Sequence, residues 1–376
     1  MSLGIYIHIP FCQAKCSYCH FNSIPFQPDI AERYRGALLE EIRSFAETPE
    51  ATEVNSIYFG GGTPSLLPAG YVADILNACR RRFPIANDCE ISLEANPGTL
   101  SPDKIDVYRK AGIRRISVGA QSFANNELSS VGRLHTAEMI RESLGRLREG
   151  GFDNINLDLM LGLPGQTAET WEQTLAETAG LSVAHVSVYM LDLDDACPLQ
   201  SLVADGSVRL PTEDLVSDLY LHSIRFLASR GYEQYEISNF ARPGYACRHN
   251  LKYWKREKVL GFGLGSHSFD GHCRYANCSG MEDYLGSMES GASPVTWKEP
   301  VTAEQALQET LFLGLRLREG VDWNRLLRSG HDDFLAGYED SLRDLRAKGL
   351  IDKTDSIIRL TESGMLLSNE VFQTFV

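Results

Sequence analysis

Short apolar runs alternate with amphipathic segments from the start of the chain to about residue 195, and this alternation constrains the fold more than any other feature. The apolar runs predict six strands, over 4–9, 56–59, 90–94, 115–119, 155–160 and 185–190. The intervening segments predict helices over 30–46, 71–83, 102–111, 137–149 and 169–181. Such alternation produces a parallel sheet with right-handed crossovers. Because six units fall short of an eight-unit barrel, the predicted α/β fold is a partial (β/α)6 TIM-like barrel with its site at the strand carboxyl ends.

The pattern changes after residue 300, where it predicts a smaller C-terminal α+β domain of winged-helix-like type. Its predicted helices cover 305–317, 340–348 and 361–371, and 350–352 and 357–360 form a hairpin. The predicted division is therefore a barrel over 1–240, an extension over 241–300 and the C-terminal domain over 301–376. Acidic residues near the second helix oppose the approach of DNA phosphates, which favours packing or partner binding: Glu339, Asp340 and Asp344.

The charge and hydropathy of the chain exclude several classes of function. The 376 residues carry a net charge of −14, which argues against nucleic-acid binding and for small ligands or a protein partner. No apolar run is long enough to span a bilayer, and the N-terminus lacks the features of a signal peptide. We therefore expect a cytoplasmic protein without an integral membrane segment. Peripheral contact with a membrane stays open.

Three cysteines, Cys12, Cys16 and Cys19, fall within eight residues directly after the first predicted strand. The chain has nine cysteines, and this odd number in an intracellular protein argues against a disulfide framework. Three thiolates on one loop suit a [4Fe-4S] cluster and leave one iron open to the amine and carboxylate of a small molecule. Two alternatives are a zinc site completed by His20, in a zinc-stabilised interaction protein, and three unrelated core cysteines. The spacing favours the cluster over both.

This cysteine spacing resembles that of the radical S-adenosylmethionine superfamily. Five longer motifs narrow the resemblance to the oxygen-independent coproporphyrinogen III oxidase family: YIHIPFC at 6–12, GGGTP at 60–64, EANP at 94–97, GAQSF at 119–123 and NLDLMLGLP at 156–164. Together they imply a [4Fe-4S] cluster that binds S-adenosylmethionine. The implied chemistry is one-electron reduction of the cluster and cleavage of the sulfonium to methionine and a 5′-deoxyadenosyl radical.

The resemblance also implies roles for individual residues around S-adenosylmethionine. Gly61, Gly62 and Thr63 contact its methionine end, where glycines allow close approach of backbone N–H groups. Glu94, at the end of the third predicted strand, pairs with the methionine ammonium or with a nearby polar group. Three residues further along the chain are implied to bind the carboxylate, ribose or sulfonium region: Gln121, Arg133 and Asp158. Two tyrosines, Tyr6 and Tyr18, are implied as additional contacts on the cofactor side.

Two features distinguish the chain from the oxidases of this family. Phe21 stands where the oxidases carry a further cysteine, and the first strand begins near residue 4 without their N-terminal extension. The motifs CHFNS at 19–23 and HNLKYW at 249–254 instead resemble the HemW-type haem chaperone branch. This resemblance implies a protein that binds haem as cargo and passes it to an acceptor protein, with His249 as a haem contact and His267 as a second candidate. The alternative is a radical enzyme that acts on a porphyrinogen.

Overall fold

A computed structural model describes residues 2–45, 52–193, 197–328, 332–354 and 356–376. The first half contains the strands β1 (Leu3–Ile9), β2 (Phe11–Cys12), β3 (Ile24–Pro25), β4 (Val54–Gly61), β5 (Ile85–Ala95), β6 (Arg115–Gln121), β7 (Asn154–Leu161) and β8 (His185–Met190). The helices of this half are α1 (Pro28–Ser44), α2 (Ala69–Arg82), α3 (Pro102–Ala111), α4 (Asn125–Ser130), α5 (Ala137–Glu149) and α6 (Ala168–Gly180), and a 3-10 turn covers Pro64–Leu66.

The second half adds helices and antiparallel strands. Before the C-terminal domain lie α7 (Pro198–Ala204), α8 (Glu213–Ser229), β9 (Glu233–Glu236), β10 (Asn239–Ala241), α9 (Arg248–Trp254), β11 (Val259–Phe262), β12 (His267–Phe269), β13 (Cys273–Asn277), α10 (Met281–Glu289) and β14 (Val295–Pro300). The C-terminal part contains α11 (Ala303–Gly314), β15 (Val321–Asp322), α12 (Trp323–Leu327), α13 (Asp332–Ala336), α14 (Glu339–Ala347), β16 (Ile351–Lys353), β17 (Ile357–Leu360), α15 (Glu362–Leu366) and α16 (Ser368–Gln373).

Twelve of the described strands form one sheet, in the order β14-β13-β12-β11-β1-β4-β5-β6-β7-β8-β10-β9. The run from β1 to β8 is parallel and confirms the six predicted units. β11 adds a further parallel strand beside β1, and the outer strands on both sides are antiparallel. The extension thus continues the barrel sheet, and the division at 240 and 300 stays a prediction.

The barrel strands present polar side chains to the lumen and apolar side chains to the helices. Tyr58, Glu94 and Asp158 face the central cavity. Their neighbours in the strands, such as Phe59, Leu93 and Leu157, are fully buried in the outer core. Since side chains of a strand alternate between its two faces, this pattern places the hydrophobic core outside the barrel and a polar lumen inside it.

Local sequence signals set several of the helix ends. Ser101 caps α3 by accepting a hydrogen bond from the backbone N–H of Lys104, and Pro102 occupies the first turn. The helix ends at Gly112, whose φ of 97° is readily adopted by glycine, as the sequence predicts. One prediction is wrong: the helix expected over 361–371 is two short helices separated at Leu367.

The C-terminal part packs a three-stranded sheet, β15-β17-β16, against its helices, in agreement with a winged-helix-like domain. Its link to the barrel runs along the edge formed by β9 and β10. The backbone N–H of Ile237 donates to the carbonyl of Arg316 at 3.1 Å, and that of Arg318 donates to Tyr235 at 3.0 Å. The Arg316 guanidinium also lies over the ring of Trp254, 4.2 Å from its centroid. Within the described residues, no helix is long and apolar enough to cross a membrane.

Candidate functional site

The cysteine loop leaves the carboxyl end of β1 and folds back on itself. The backbone N–H of Ile24 donates to Pro10 at 2.7 Å, and that of Phe26 donates to Cys12 at 2.9 Å. Between these bonds, Cys12, Cys16 and Cys19 are half-buried free thiols that line one cavity. Burial raises the pKa of the Cys19 thiol, and the neighbouring Cys16 and Cys12 sulfurs raise it further.

The glycine turn after β4 holds this loop in place through its backbone. Gly62 N–H donates to Ile9 at 2.8 Å, and Thr63 N–H donates to Phe11 at 2.8 Å. A side chain at Gly62 would place its Cβ 2.7 Å from the carbonyl oxygen of Phe11, which leaves no room for any other residue. From the sequence, Gly62 is expected to allow close approach of a ligand. In the structure, the backbone that approaches Gly62 closely is that of the cysteine loop.

A line of hydrogen bonds connects Arg133 to the first cysteine. Arg133 Nη1 donates to Asn96 Oδ1 at 3.2 Å, and Asn96 Nδ2 donates to Thr63 Oγ1 at 3.1 Å. Thr63 Oγ1 in turn donates to Cys12 Sγ at 3.8 Å. Asn96 was not singled out from the sequence, although its position in the motif at 94–97, directly after a strand, was the signal that could have identified it.

Glu94 lies at the end of β5 in the wall of the cavity. Tyr58 donates its hydroxyl to Oε1 at 2.8 Å, and Gly61 N–H donates to Oε2 at 3.2 Å. Burial and the nearby Asp158 carboxylate raise the pKa of Glu94 to about 7, against the opposing effects of these two hydrogen bonds and of Arg115. The carboxyl group is therefore poised to change charge near neutral pH.

Asp158 is held by neighbours on adjacent strands. Ser117 donates to Oδ2 at 2.8 Å, and Asn156 Nδ2 donates to Oδ1 at 2.8 Å. The same amide nitrogen lies 2.7 Å from Ser117 Oγ. These bonds fix the position of the carboxylate, which lines the cavity and offers its oxygens to a ligand.

Gln121 ends β6 in a conformation that favours glycine, with a φ of 61°. The residue is buried, and its Oε1 has no hydrogen-bond partner among the described residues. Arg133 Nε is unpartnered in the same sense. Strained backbone and orphaned polar atoms at one place are typical of a binding site.

The cavity bounded by these residues has a volume of 340 Å³. The predicted site residues that line it are Cys12, Cys16, Tyr18, Cys19, Gly61, Gly62, Thr63, Glu94, Gln121, Arg133 and Asp158. Tyr6 and His249 are not among the lining residues. Tyr6 lies behind Tyr58, with 6.4 Å between their ring centroids.

His249 lies on α9, which covers the amino ends of the strands, opposite the cysteine loop. It is 1% exposed, and both ring nitrogens are engaged: Nδ1 with Ser56 Oγ at 3.0 Å and Nε2 with the Tyr253 hydroxyl at 3.1 Å. Burial lowers the pKa of His249 to about 3, so the ring is neutral. In this conformation, His249 has no nitrogen free to bind iron.

The donor set of the cavity fits the implied cofactors. Three thiols on one loop suit a four-iron cluster, and the unpartnered Gln121 and Arg133 atoms, with Glu94, suit a zwitterionic ligand beside it. Within the described ranges, no three His, Cys, Asp or Glu side chains surround a position for a single metal ion.

Comparison with known proteins agrees with the barrel and its cysteine loop. Residues 6–177 match the Radical SAM superfamily, and residues 301–367 match the HemN C-terminal domain. Among solved structures, the coproporphyrinogen III oxidase HemN from Escherichia coli, described as a radical SAM enzyme, aligns with a TM-score of 0.87 at 26% identity. This alignment covers 100% of this chain and 90% of the oxidase chain. Fold and site thus define a radical SAM protein.

Curated relatives narrow the class further. A protein named "Heme chaperone HemW" from Bacillus subtilis (strain 168) is 36% identical over 99% of this chain and 98% of its own length. Another of that name, from Mycobacterium tuberculosis, is 33% identical over 99% and 94%. The Escherichia coli protein of that name is 38% identical over 70% and 69%. The chain belongs to the HemW family, which confirms the resemblance seen in its motifs.

Proposed function

We propose that the protein is a haem chaperone that binds a [4Fe-4S] cluster and S-adenosylmethionine and delivers haem to an acceptor protein in the cytoplasm. One observation carries the proposal: three free thiols and the unpartnered Gln121 and Arg133 atoms line a single 340 Å³ cavity in a chain of the HemW family. The relatives supply haem as the cargo, and the cavity supplies the sites for the two cofactors.

Cys12, Cys16 and Cys19 would hold the cluster in this proposal, and three thiolate ligands would leave one iron open to S-adenosylmethionine. When bound, the cluster supplies one-electron chemistry to S-adenosylmethionine. Thr63 orients Cys12 through its hydroxyl, and Asn96 keeps that hydroxyl directed at the sulfur. The hydrogen bond to sulfur also helps to set the potential of the cluster.

The groups of S-adenosylmethionine match the charges of the cavity. The Glu94 carboxylate accepts from the methionine ammonium, with Gly61, Gly62 and Thr63 around the methionine end. Arg133 offers its unpartnered Nε–H to the carboxylate, and Gln121 offers its unpartnered Oε1 to a ribose hydroxyl. Asp158 faces the sulfonium region or the ribose, and Tyr18 closes the side of the cavity next to Arg133. Tyr6 acts from behind by packing on Tyr58.

An anaerobic absorption spectrum, recorded with and without haem, tests the chaperone function. We expect a cluster band in the purified, reconstituted protein and a Soret change on addition of haem. Loss of that haem band on mixing with a haem-free acceptor protein would show delivery. A protein that carries the cluster but leaves the haem spectrum unchanged would overturn the proposal.

A second candidate is a radical enzyme that acts on a porphyrinogen, and the full-length alignment with HemN favours it. Phe21 in place of the further cysteine speaks against it. Anaerobic incubation with coproporphyrinogen III, a reductant and S-adenosylmethionine separates the two. A product with fewer carboxylates would establish the enzyme, and unchanged substrate would leave the chaperone.

A further inference from the structure

We infer that His20 is the residue that binds the haem iron, with the macrocycle lying across the mouth of the cavity against Phe21. The inference rests on the proposed chaperone function and adds a ligand and a place to it. It differs from the expectation that His249 contacts haem.

The accessibility of the histidines carries the first step. Of the nine in the chain, His331 lies outside the described residues. Four others are buried with a ring nitrogen hydrogen-bonded: His8, His135, His185 and His249.

Four histidines remain on the surface of the described chain. His222 is paired with Glu172 at 2.5 Å, and His267 and His272 are exposed on and beside β12, away from the cavity lining. His20 is exposed, lines the cavity and has no hydrogen bond or ion pair to another described residue. An imidazole that is both accessible and unpartnered is a suitable axial ligand for haem iron.

The surface beside His20 provides the second step. Phe21 is 57% exposed, and its ring centroid lies 5.2 Å from that of His20. Tyr189, Met190 and Leu191 line the same cavity from the end of β8. A phenylalanine so exposed loses the benefit of burial unless a ligand covers it, and a flat macrocycle would cover it.

Charge provides the third step. Haem carries two carboxylates at one edge, and Lys15 is an exposed cation in the lining of the same cavity. Arg133, deeper in the cavity, is already hydrogen-bonded to Asn96. The His20 imidazole therefore suits the haem iron, and the Phe21 ring suits the macrocycle. The Lys15 ammonium suits the propionates.

Haem titration of the cluster-loaded protein under anaerobic conditions tests the inference. His20→Ala is compared with His249→Ala and with His272→Ala, an exposed histidine remote from the cavity. We expect His20→Ala to lose the imidazole-ligated Soret signature and to weaken haem affinity about tenfold or more. Free imidazole should restore the signature, and both other variants should keep it. Iron content is measured in each variant because His20 follows Cys19.

The outcomes separate this inference from the proposed function. Loss of the signature in His249→Ala but not in His20→Ala would overturn the inference and leave the chaperone function standing. No Soret change in the unaltered protein would overturn the function itself. If His20→Ala fails to hold a cluster, Phe21→Ala decides: we expect weaker haem binding with the imidazole signature retained, and unchanged affinity would overturn the inference.

Discussion

The hydroxyl of Tyr58 donates to Glu94 at 2.8 Å, while the ring of Tyr58 stacks on His249 with 5.2 Å between centroids. One side chain thus touches both the cavity and the helix that covers the opposite end of the barrel. Because the hydrogen bond holds down the pKa of Glu94, its loss should raise that pKa further. Packing on His249 should survive the loss of a hydroxyl group, so Tyr58→Phe isolates the hydrogen bond.

The first prediction concerns the pH dependence of S-adenosylmethionine binding. The methionine ammonium needs the charged form of Glu94, whose pKa burial and Asp158 raise to about 7. Affinity should therefore fall as pH drops through 7, by about tenfold between pH 8 and pH 6. Calorimetric titration at the two pH values measures this change. Glu94→Gln should bind weakly at both, and a strong pH dependence in that variant would contradict the assignment.

Tyr58→Phe should move the same transition to higher pH. The variant keeps the carboxylate but loses the hydrogen bond that favours its charged form. At pH 8 the variant should bind S-adenosylmethionine more weakly than the parent protein does. At pH 9 the two affinities should lie closer together. An unshifted pH profile would show that the hydroxyl has no influence on Glu94.

Gly62→Ala tests the close contact between the glycine turn and the cysteine loop. A methyl group at this position meets the Phe11 backbone at 2.7 Å, so we expect a loss of about 2–3 kcal/mol in the free energy of unfolding and poor retention of the cluster. Gly36→Ala is the matched control. It lies inside α1 with open space around it and should stabilise by about 0.5–1 kcal/mol. Denaturant unfolding and iron analysis measure both variants.

Thr63→Val should lower the reduction potential of the cluster. The substitution removes the hydroxyl that donates to Cys12 Sγ, and hydrogen bonds to cluster ligands stabilise the more negative, reduced state. Thr63→Ser keeps the hydroxyl and should keep the potential. A redox titration followed by electron paramagnetic resonance measures the difference. Equal potentials in the two variants would remove Thr63 from this role.

Arg316→Ala should loosen the C-terminal domain. The guanidinium stacks on Trp254 at 4.2 Å, and such a contact is worth about 1–2 kcal/mol when partly buried. Compared with the parent protein, Arg316→Ala should be cleaved faster by proteases near residue 301, where the barrel joins the C-terminal domain. It should also have a lower melting temperature. Arg343→Ala, on an exposed residue of α14, serves as the control and should change neither.

Periodicity was sufficient to predict the six barrel units, because each strand must bury one apolar face against a helix. The glycine at 112 correctly predicted the end of α3, and the order of the predicted strands placed the cysteine loop at their carboxyl ends. Periodicity could not predict that β11 pairs with β1, since that contact joins segments about 250 residues apart. It also failed at Leu367, where a continuous helical pattern is interrupted.

The candidate site was predicted where a motif placed polar residues within the barrel strands, as for Glu94 in β5 and Asp158 in β7. The motif containing His249 carried no information on burial. Its imidazole faces Ser56 because of how α9 packs under the barrel, which depends on tertiary contacts. The openness of His20 was equally hidden, since a sequence does not show which histidines find partners.

The barrel has polar side chains inside and apolar side chains outside, and this arrangement affects the order in which folding and cofactor insertion occur. All the apolar faces of its strands meet the surrounding helices, so the polypeptide can complete its hydrophobic core with nothing but water in the lumen. We therefore expect the apoprotein to be a folded acceptor into which iron, sulfide and the nucleoside ligand are inserted afterwards. The cluster would then be assembled in a folded protein rather than in a nascent chain. Removal of iron by a chelator should therefore release the cluster without unfolding the protein.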